Sequence, residues 1–176
     1  RRHLQELTDR ALNELQRLIA GLRPAHLDDL GLPAALRWYA GETQDRAPLE
    51  VGVEVIGSER PLPPLLTIGL FRAAQEALTN VVRHASARKV QVRLNYEVGQ
   101  ARLEIQDDGI GFDAAAVAAN PDRPAWGLMG MQERVSLMGG QFSITSQRGQ
   151  GTLIEITVPY AGVASEEHAR AIAAGG

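Results

Sequence analysis

The sequence predicts an α/β protein, a two-layer α/β sandwich whose mixed five-stranded sheet carries helices on one face, preceded by one long bundle helix. Three observations predict it. Short runs with apolar residues at every second position recur after residue 48, as strands do. Segments with apolar residues at three- and four-residue steps lie before and between them. Only some neighbouring runs are linked closely enough for hairpins, which argues for a sheet that mixes parallel and antiparallel pairs.

Arg2 to Leu22 reads as the first helix, with Leu4, Leu7, Ala11, Leu15, Leu18 and Leu22 forming a seam suited to packing on other helices. Nothing later offers a matching long partner, so the seam looks cut from a bundle. Gly21 and Pro24 stop it. Asp28 or Asp29 then caps a second helix from Leu32 to about Asp45, carrying Leu36, Trp38, Tyr39 and Ala40. Leu49 to Ile56 is a half-buried strand with Val51, Val53 and Val55 on one face. Pro63 and Pro64 open a central helix running to Ala85, where proline is best tolerated. Lys89 to Tyr96 and Ala101 to Gln106 form a hairpin through Val98, Gly99 and Gln100. Asp107 to Ala125 is a loop region, Gly127 to Met138 a short helix, and Gln141 to Ser146 and Thr152 to Pro159 the last two strands. From about Ala161 the chain is polar and rich in Ala and Gly, a loose tail.

The composition narrows the function. The 176 residues hold one ordinary domain with an appended element, and 44% hydrophobic with 22% charged residues excludes a disordered chain. A net charge of -3 gives no general nucleic-acid surface, so no direct nucleic-acid partner is expected. With no cysteine, neither a disulfide nor a thiolate metal site is possible, which suits a reducing compartment. No apolar run is long enough to span a bilayer, and RRHLQELTDR is not a signal peptide. Lys89 is the only lysine, which excludes any mechanism that needs one elsewhere.

Four stretches could carry chemistry. On the central helix, Glu76, Asn80 and His84 step by four beside the apolar stripe of Leu66, Leu70, Ala73, Ala74, Ala77, Leu78 and Val81. Taken alone, this is equally a solvated helix face. Asp107-Asp108-Gly109-Ile110-Gly111 directly follows a strand; its glycines let backbone pass close to a flat ligand, and an acid beside them accepts from an amino group. Alone, it is also a tight turn with solvated aspartates. Gly127 and Gly130 stand where a helix begins, and the free N–H groups there suit a phosphate, or simply a flexible helix start. Gly149, Gly151 and Thr152 open the final strand, by themselves an ordinary hairpin turn. No P-loop pattern occurs.

Their order is more specific than any one of them. E-x-x-x-N on a helix, D-x-G-x-G after a strand, G-x-x-G at a helix start and G-T opening a strand together resemble the GHKL (Bergerat-fold) ATPases, which include DNA gyrase, heat-shock chaperone ATPases and sensor histidine kinases. QEALTNVVRHA, DDGIGFD, GLMGMQERVSLMGG and GTLIEITVP are similar to the N box, two glycine boxes and closing strand of sensor histidine kinases. LRPAHLDDLGLPAAL resembles the segment that joins phosphoacceptor helices to the ATPase domain in the nitrate/nitrite-sensor class.

The resemblance implies that ATP and Mg²⁺ are the cofactors. It implies that Asn80 is the Mg²⁺ ligand and Glu76 the catalytic base. Arg83 stands where the family often has a phosphate-contacting lysine, and His84 closes the same box. Asp107 would accept from the adenine amino group, with Gly109 and Gly111 giving the base room and Thr152 holding a water beside it. The segment of Gly127, Leu128, Gly130 and Met131 would wrap the phosphates, with Ala114 to Trp126 as a short lid. Residues 1–24 would be the second helix of a dimerisation hairpin, 25–160 the catalytic domain and 161–176 a flexible tail.

Two departures stand out. The family's phosphoacceptor histidine sits in an E-x-H-D-like box that His3, His26, His84 and His168 all lack, so the accepting histidine is expected on a helix outside these residues. Gln132 stands where this class often has Arg, which leaves that position without its expected part in lid control. The expected protein is the ATP-binding part of a histidine kinase that passes phosphate to a response regulator with a helix-turn-helix output domain. It would be a cytoplasmic domain of a homodimer with a possible membrane anchor. Two rivals remain: an anti-sigma-like regulator of the same superfamily, which the leucine seam and the LRP linker oppose, and a nucleotide-sensing pseudokinase, which Glu76, Asn80 and Asp107 oppose.

Overall fold

The computed structural model describes residues 25–113 and 126–160. The bundle helix over Arg2–Leu22, nearly all of the lid, and the tail with His168 lie outside the described residues.

Helix α1 (Ala25–Arg46) starts earlier than the expected Leu32 because it runs across a break at Gly31, whose φ of 76° and ψ of 173° only glycine adopts easily. Pro33 then falls in the first turn of the second segment, where its missing N–H leaves no gap in the ladder. Leu32, Ala35, Leu36 and Ala40 turn inward, and the Thr43 hydroxyl is satisfied by the Tyr39 carbonyl at 2.8 Å.

Strand β1 (Glu50–Ile56) leads through a proline-rich turn into helix α2 (Pro64–Asn80). The expected single helix to Ala85 is corrected here: Val81–Ala85 form a π turn, closed by Ser86 in the left-handed region at φ 49°. His84 lies in this wider π turn and is exposed, whereas Glu76 and Asn80 lie on the α-helix and are half-buried. Strands β2 (Lys89–Glu97) and β3 (Gln100–Asp107) follow, then helix α3 (Trp126–Leu137) and strands β4 (Gln141–Ser146) and β5 (Thr152–Pro159).

The sheet runs in the order β1-β2-β3-β5-β4. Only β1 and β2 are parallel, from Glu50 opposite Lys89 to Ile56 opposite Asn95; the other pairs are antiparallel. The β2–β3 hairpin closes through Val98 and Gly99, with Gly99 at φ 77°.

Strict alternation separates the two sheet faces. Val90, Val92, Leu94, Leu103, Ile105, Ile154, Ile156 and Val158 are buried under the helices. Arg93 and Arg102 lie on the other face and pair with Glu54, Glu97 and Glu104. In the helical layer, Phe71 of α2 is fully buried and meets Tyr39 of α1 edge-on at 6.0 Å. Burial of these side chains, each worth about 1.5–3 kcal/mol for a fully buried aliphatic or aromatic residue, fixes where the end of α2 and the end of β3 stand relative to each other.

Candidate nucleotide site

Asp107 is the next inward position after Leu103 and Ile105, so the strand's own period drives a carboxylate into the helical layer. It is 6% exposed. The Gly109 N–H donates to its Oδ1 at 2.8 Å, and Thr152, its register partner on β5, offers both N–H and hydroxyl. Burial pushes the Asp107 pKa up, and these hydrogen bonds oppose that rise only in part. A carboxylate buried this way suits a ligand that brings an amino donor.

The two glycines of the turn are required first by the protein's own packing. A Cβ on Gly109 would overlap the Ala85 carbonyl and lie 2.7 Å from Asp107 Oδ1. Gly111, at φ 56°, lies against the Gln147 carbonyl, and Gly151 against Asp107 itself. The turn is therefore clamped between the π turn and the β4–β5 hairpin. Gly149 N–H donates to the Ile110 carbonyl at 2.6 Å, and Phe112 N–H to Ser146 Oγ at 2.9 Å. Ser146 is a site residue the sequence reading missed. Its hydroxyl meets both the Gly151 carbonyl at 2.9 Å and Thr152 Oγ1 at 3.0 Å, and a lone serine ending a strand carries no pattern that would single it out.

Glu76 and Asn80 are half-buried on the side of α2 that faces α3. Gly127 packs directly on them: a Cβ there would overlap the Glu76 carboxylate and stand 3.5 Å from Asn80 Nδ2. The structure thus brings together the acid, the amide and the first glycine of α3. Gly130 is different. Among the described residues an added Cβ would meet only Arg134 Nη2, at 3.9 Å, which is ordinary contact. Leu128 is half-buried against the core, and Met131 is fully buried with Val135, so its side chain serves the core. The inward stripe of α3 claims it. Arg83 and His84 are both exposed on the π turn.

No group of three or more His, Cys, Asp or Glu side chains is poised for a metal among the described residues. Magnesium does not need one, since it is commonly held by one or two protein oxygens with water and substrate phosphates completing an octahedron. The Asn80 amide oxygen beside Glu76 fits that donor set. A groove of about 400 Å³ lies elsewhere, lined by Gly31, Pro61, Thr67 and Tyr96 at the other end of α2, and shares no residue with this site.

Comparison with known proteins gives the family. Residues 66–162, more than half of the chain, match the family described as histidine kinase-, DNA gyrase B-, and HSP90-like ATPase. The chain is similar to the signal transduction histidine-protein kinase/phosphatase DegS of Brevibacillus brevis, at 35% identity over 90% of this chain and 40% of the relative. It is similar to the sensor histidine kinase LiaS of Bacillus subtilis at 35% identity (90% and 42%) and to the oxygen sensor histidine kinase NreB of Staphylococcus carnosus at 30% (90% and 45%). It spans under half the length of these relatives. Among solved structures, the histidine kinase domain of the Erythrobacter litoralis EL346 blue-light activated kinase superposes with a TM-score of 0.56 at 26% identity, covering 73% of this chain and 64% of that one. With more than half of its residues matching that family, the chain belongs to the histidine kinase-, DNA gyrase B- and HSP90-like ATPase family.

Proposed function

We propose that this chain is the ATP-binding catalytic part of a sensor histidine kinase, moving the ATP γ-phosphoryl group to a histidine outside residues 1–176 and from there to a response regulator. The observation that carries the reading is the buried carboxylate of Asp107 set under a glycine turn, with Asn80 and Glu76 gathered against Gly127 on the neighbouring helix. In this reading Asp107 accepts from the adenine amine, and guanine, with a carbonyl at that position, is refused. The Asn80 amide oxygen holds Mg²⁺, which when bound neutralises phosphate charge. Glu76 polarises the incoming imidazole, and Arg83 contacts phosphate from the π turn. Catalysis is positioning and charge neutralisation.

The larger organisation belongs to the same proposal. Residues 1–24 are the second helix of a dimerisation hairpin, 25–160 the catalytic domain and 161–176 a tail. The partners are the phosphoacceptor helix, a second copy of the full protein, and a response regulator with a helix-turn-helix output domain. Among the described residues no helix is long and apolar enough to cross a membrane, and we assign the domain to the cytoplasmic side.

Calorimetric titration tests the assignment. ATP should bind at least ~10-fold more tightly than GTP, since one hydrogen bond to a charged group is worth ~1.5–3 kcal/mol. Asn80→Ala should lose the Mg²⁺ enhancement of ATP affinity while keeping metal-free ADP binding. Equal affinities for the two nucleotides would remove Asp107 from adenine recognition, and unchanged Mg²⁺ dependence would move the metal elsewhere.

A further inference from the structure

Asp108 has no part in the nucleotide contacts proposed above, yet its carboxylate is firmly engaged. Its Oδ1 accepts from the Arg88 N–H at 2.8 Å and the Lys89 N–H at 2.9 Å, and its own N–H donates to the Lys89 carbonyl at 3.2 Å. Two residues on, the Ile110 N–H donates to the carbonyl of Ala85, the last residue of the π turn, at 2.8 Å. The segment from Ala85 to Lys89 is therefore tied at both ends to the glycine turn. Within it, Ser86 is the one non-glycine residue at positive φ among the described residues.

Core packing does not explain Asp108, because its side chain is exposed. What its bonds fix is the path between the end of α2, which carries Asn80, and the start of β2. Gly109 lies so close to the π turn that a Cβ there would overlap the Ala85 carbonyl. The π turn and the turn beneath Asp107 are thus joined by hydrogen bonds at Ala85, Arg88 and Lys89. We propose that Asp108 is a positioning residue: by clasping the backbone after the π turn, it sets the adenine-recognising carboxylate of Asp107 at a fixed distance from the metal-binding end of α2. This rests on the nucleotide-binding reading above. An ionised acceptor with two backbone donors is a stronger tie than a neutral hydrogen bond, and the same two N–H groups hold the Asp108 pKa below its ordinary value.

The test uses the whole 176-residue chain with Asp108→Ala, Asp108→Asn and Asp108→Glu, each checked for a cooperative thermal melt and titrated with Mg-ATP and Mg-GTP. Ala should weaken ATP binding by ~10-fold and shrink the ATP-over-GTP preference, as loss of a charge-assisted tie would. Asn keeps an acceptor in the same place without the charge and should restore both readouts in part. Glu keeps the charge but carries it one methylene too far, and should behave as Ala does. Wild-type affinity and preference in the Glu variant, or in a folded Ala variant, would overturn the clasp. Equal loss in Asn and Ala would overturn it too, since an acceptor kept in that place would then hold nothing. Failure of the wild-type chain to bind either nucleotide would instead bring down the nucleotide reading, and the clasp with it.

Discussion

At Asp107, burial and hydrogen bonding pull in opposite directions, and burial wins: the pKa is raised. The sign for stability follows. A carboxyl whose folded pKa exceeds its unfolded one favours the fold fully below the unfolded value, and that contribution is lost as pH rises through the folded value. Asp107→Asn should therefore flatten the fall in melting temperature across that window, and an unchanged slope would assign it to other groups. Ligand binding carries the opposite sign. An amine donor favours the ionised form, so ATP affinity should weaken as pH falls through the raised pKa, and the dependence should vanish in Asp107→Asn when followed by titration at several pH values. In sequence this residue stood out only through the D-x-G-x-G pattern, since the strand was expected to end at Gln106; the strand in fact includes Asp107, in phase with Leu103 and Ile105. The burial of Met131 was not legible: which stripe of the helix it joins shows only when it packs in the same core as Val135 and Met138. The need for Gly109 and Gly111 was legible but its first cause was hidden, because Ala85 and Gln147 are distant in the chain.

At the scale of elements, α2 and α3 approach closely because glycines sit where they meet. Gly127 leaves room for Glu76, and Gly69 receives the Met138 side chain, whose sulfur occupies the space a Cβ would need. Gly69→Ala should cost about 1–3 kcal/mol by overpacking, read as a lowered denaturation midpoint. A variant as stable as wild type would show that Met138 moves aside freely. Strand and helix identities were accessible from periodicity, whereas the breaks within helices were not. The π turn at Val81–Ala85 has ordinary helix-forming neighbours, and what selects it is tertiary: Val81 is buried and the Ala85 carbonyl is held by Ile110. Gly31 gave a visible hint, but whether the chain stops or merely kinks there depends on Leu27 packing into the same core as Leu32.

For the whole molecule, the proposed chemistry needs an imidazole that the motifs of this sequence do not provide. Incubated with labelled ATP, the chain should bind nucleotide yet carry no acid-labile, base-stable phosphate, and supplying a phosphoacceptor hairpin should restore labelling. Labelling of the chain alone, abolished by changing His3 or His26, would contradict this. The one parallel strand pair has a consequence of another kind, for the order of assembly. Antiparallel β2–β3 and β4–β5 close over short links, whereas Glu50 reaches Lys89 only after all of α2 is in place between them. Loop closure over that span is entropically dearer and comes before its contacts reward it, so β1 should dock after the rate-limiting step. In stopped-flow chevrons, Leu103→Ala in the central hairpin should mainly slow refolding, and Val51→Ala in β1 should mainly speed unfolding. The reverse assignment would mean that the far edge of the sheet, and not its middle, is where this fold begins.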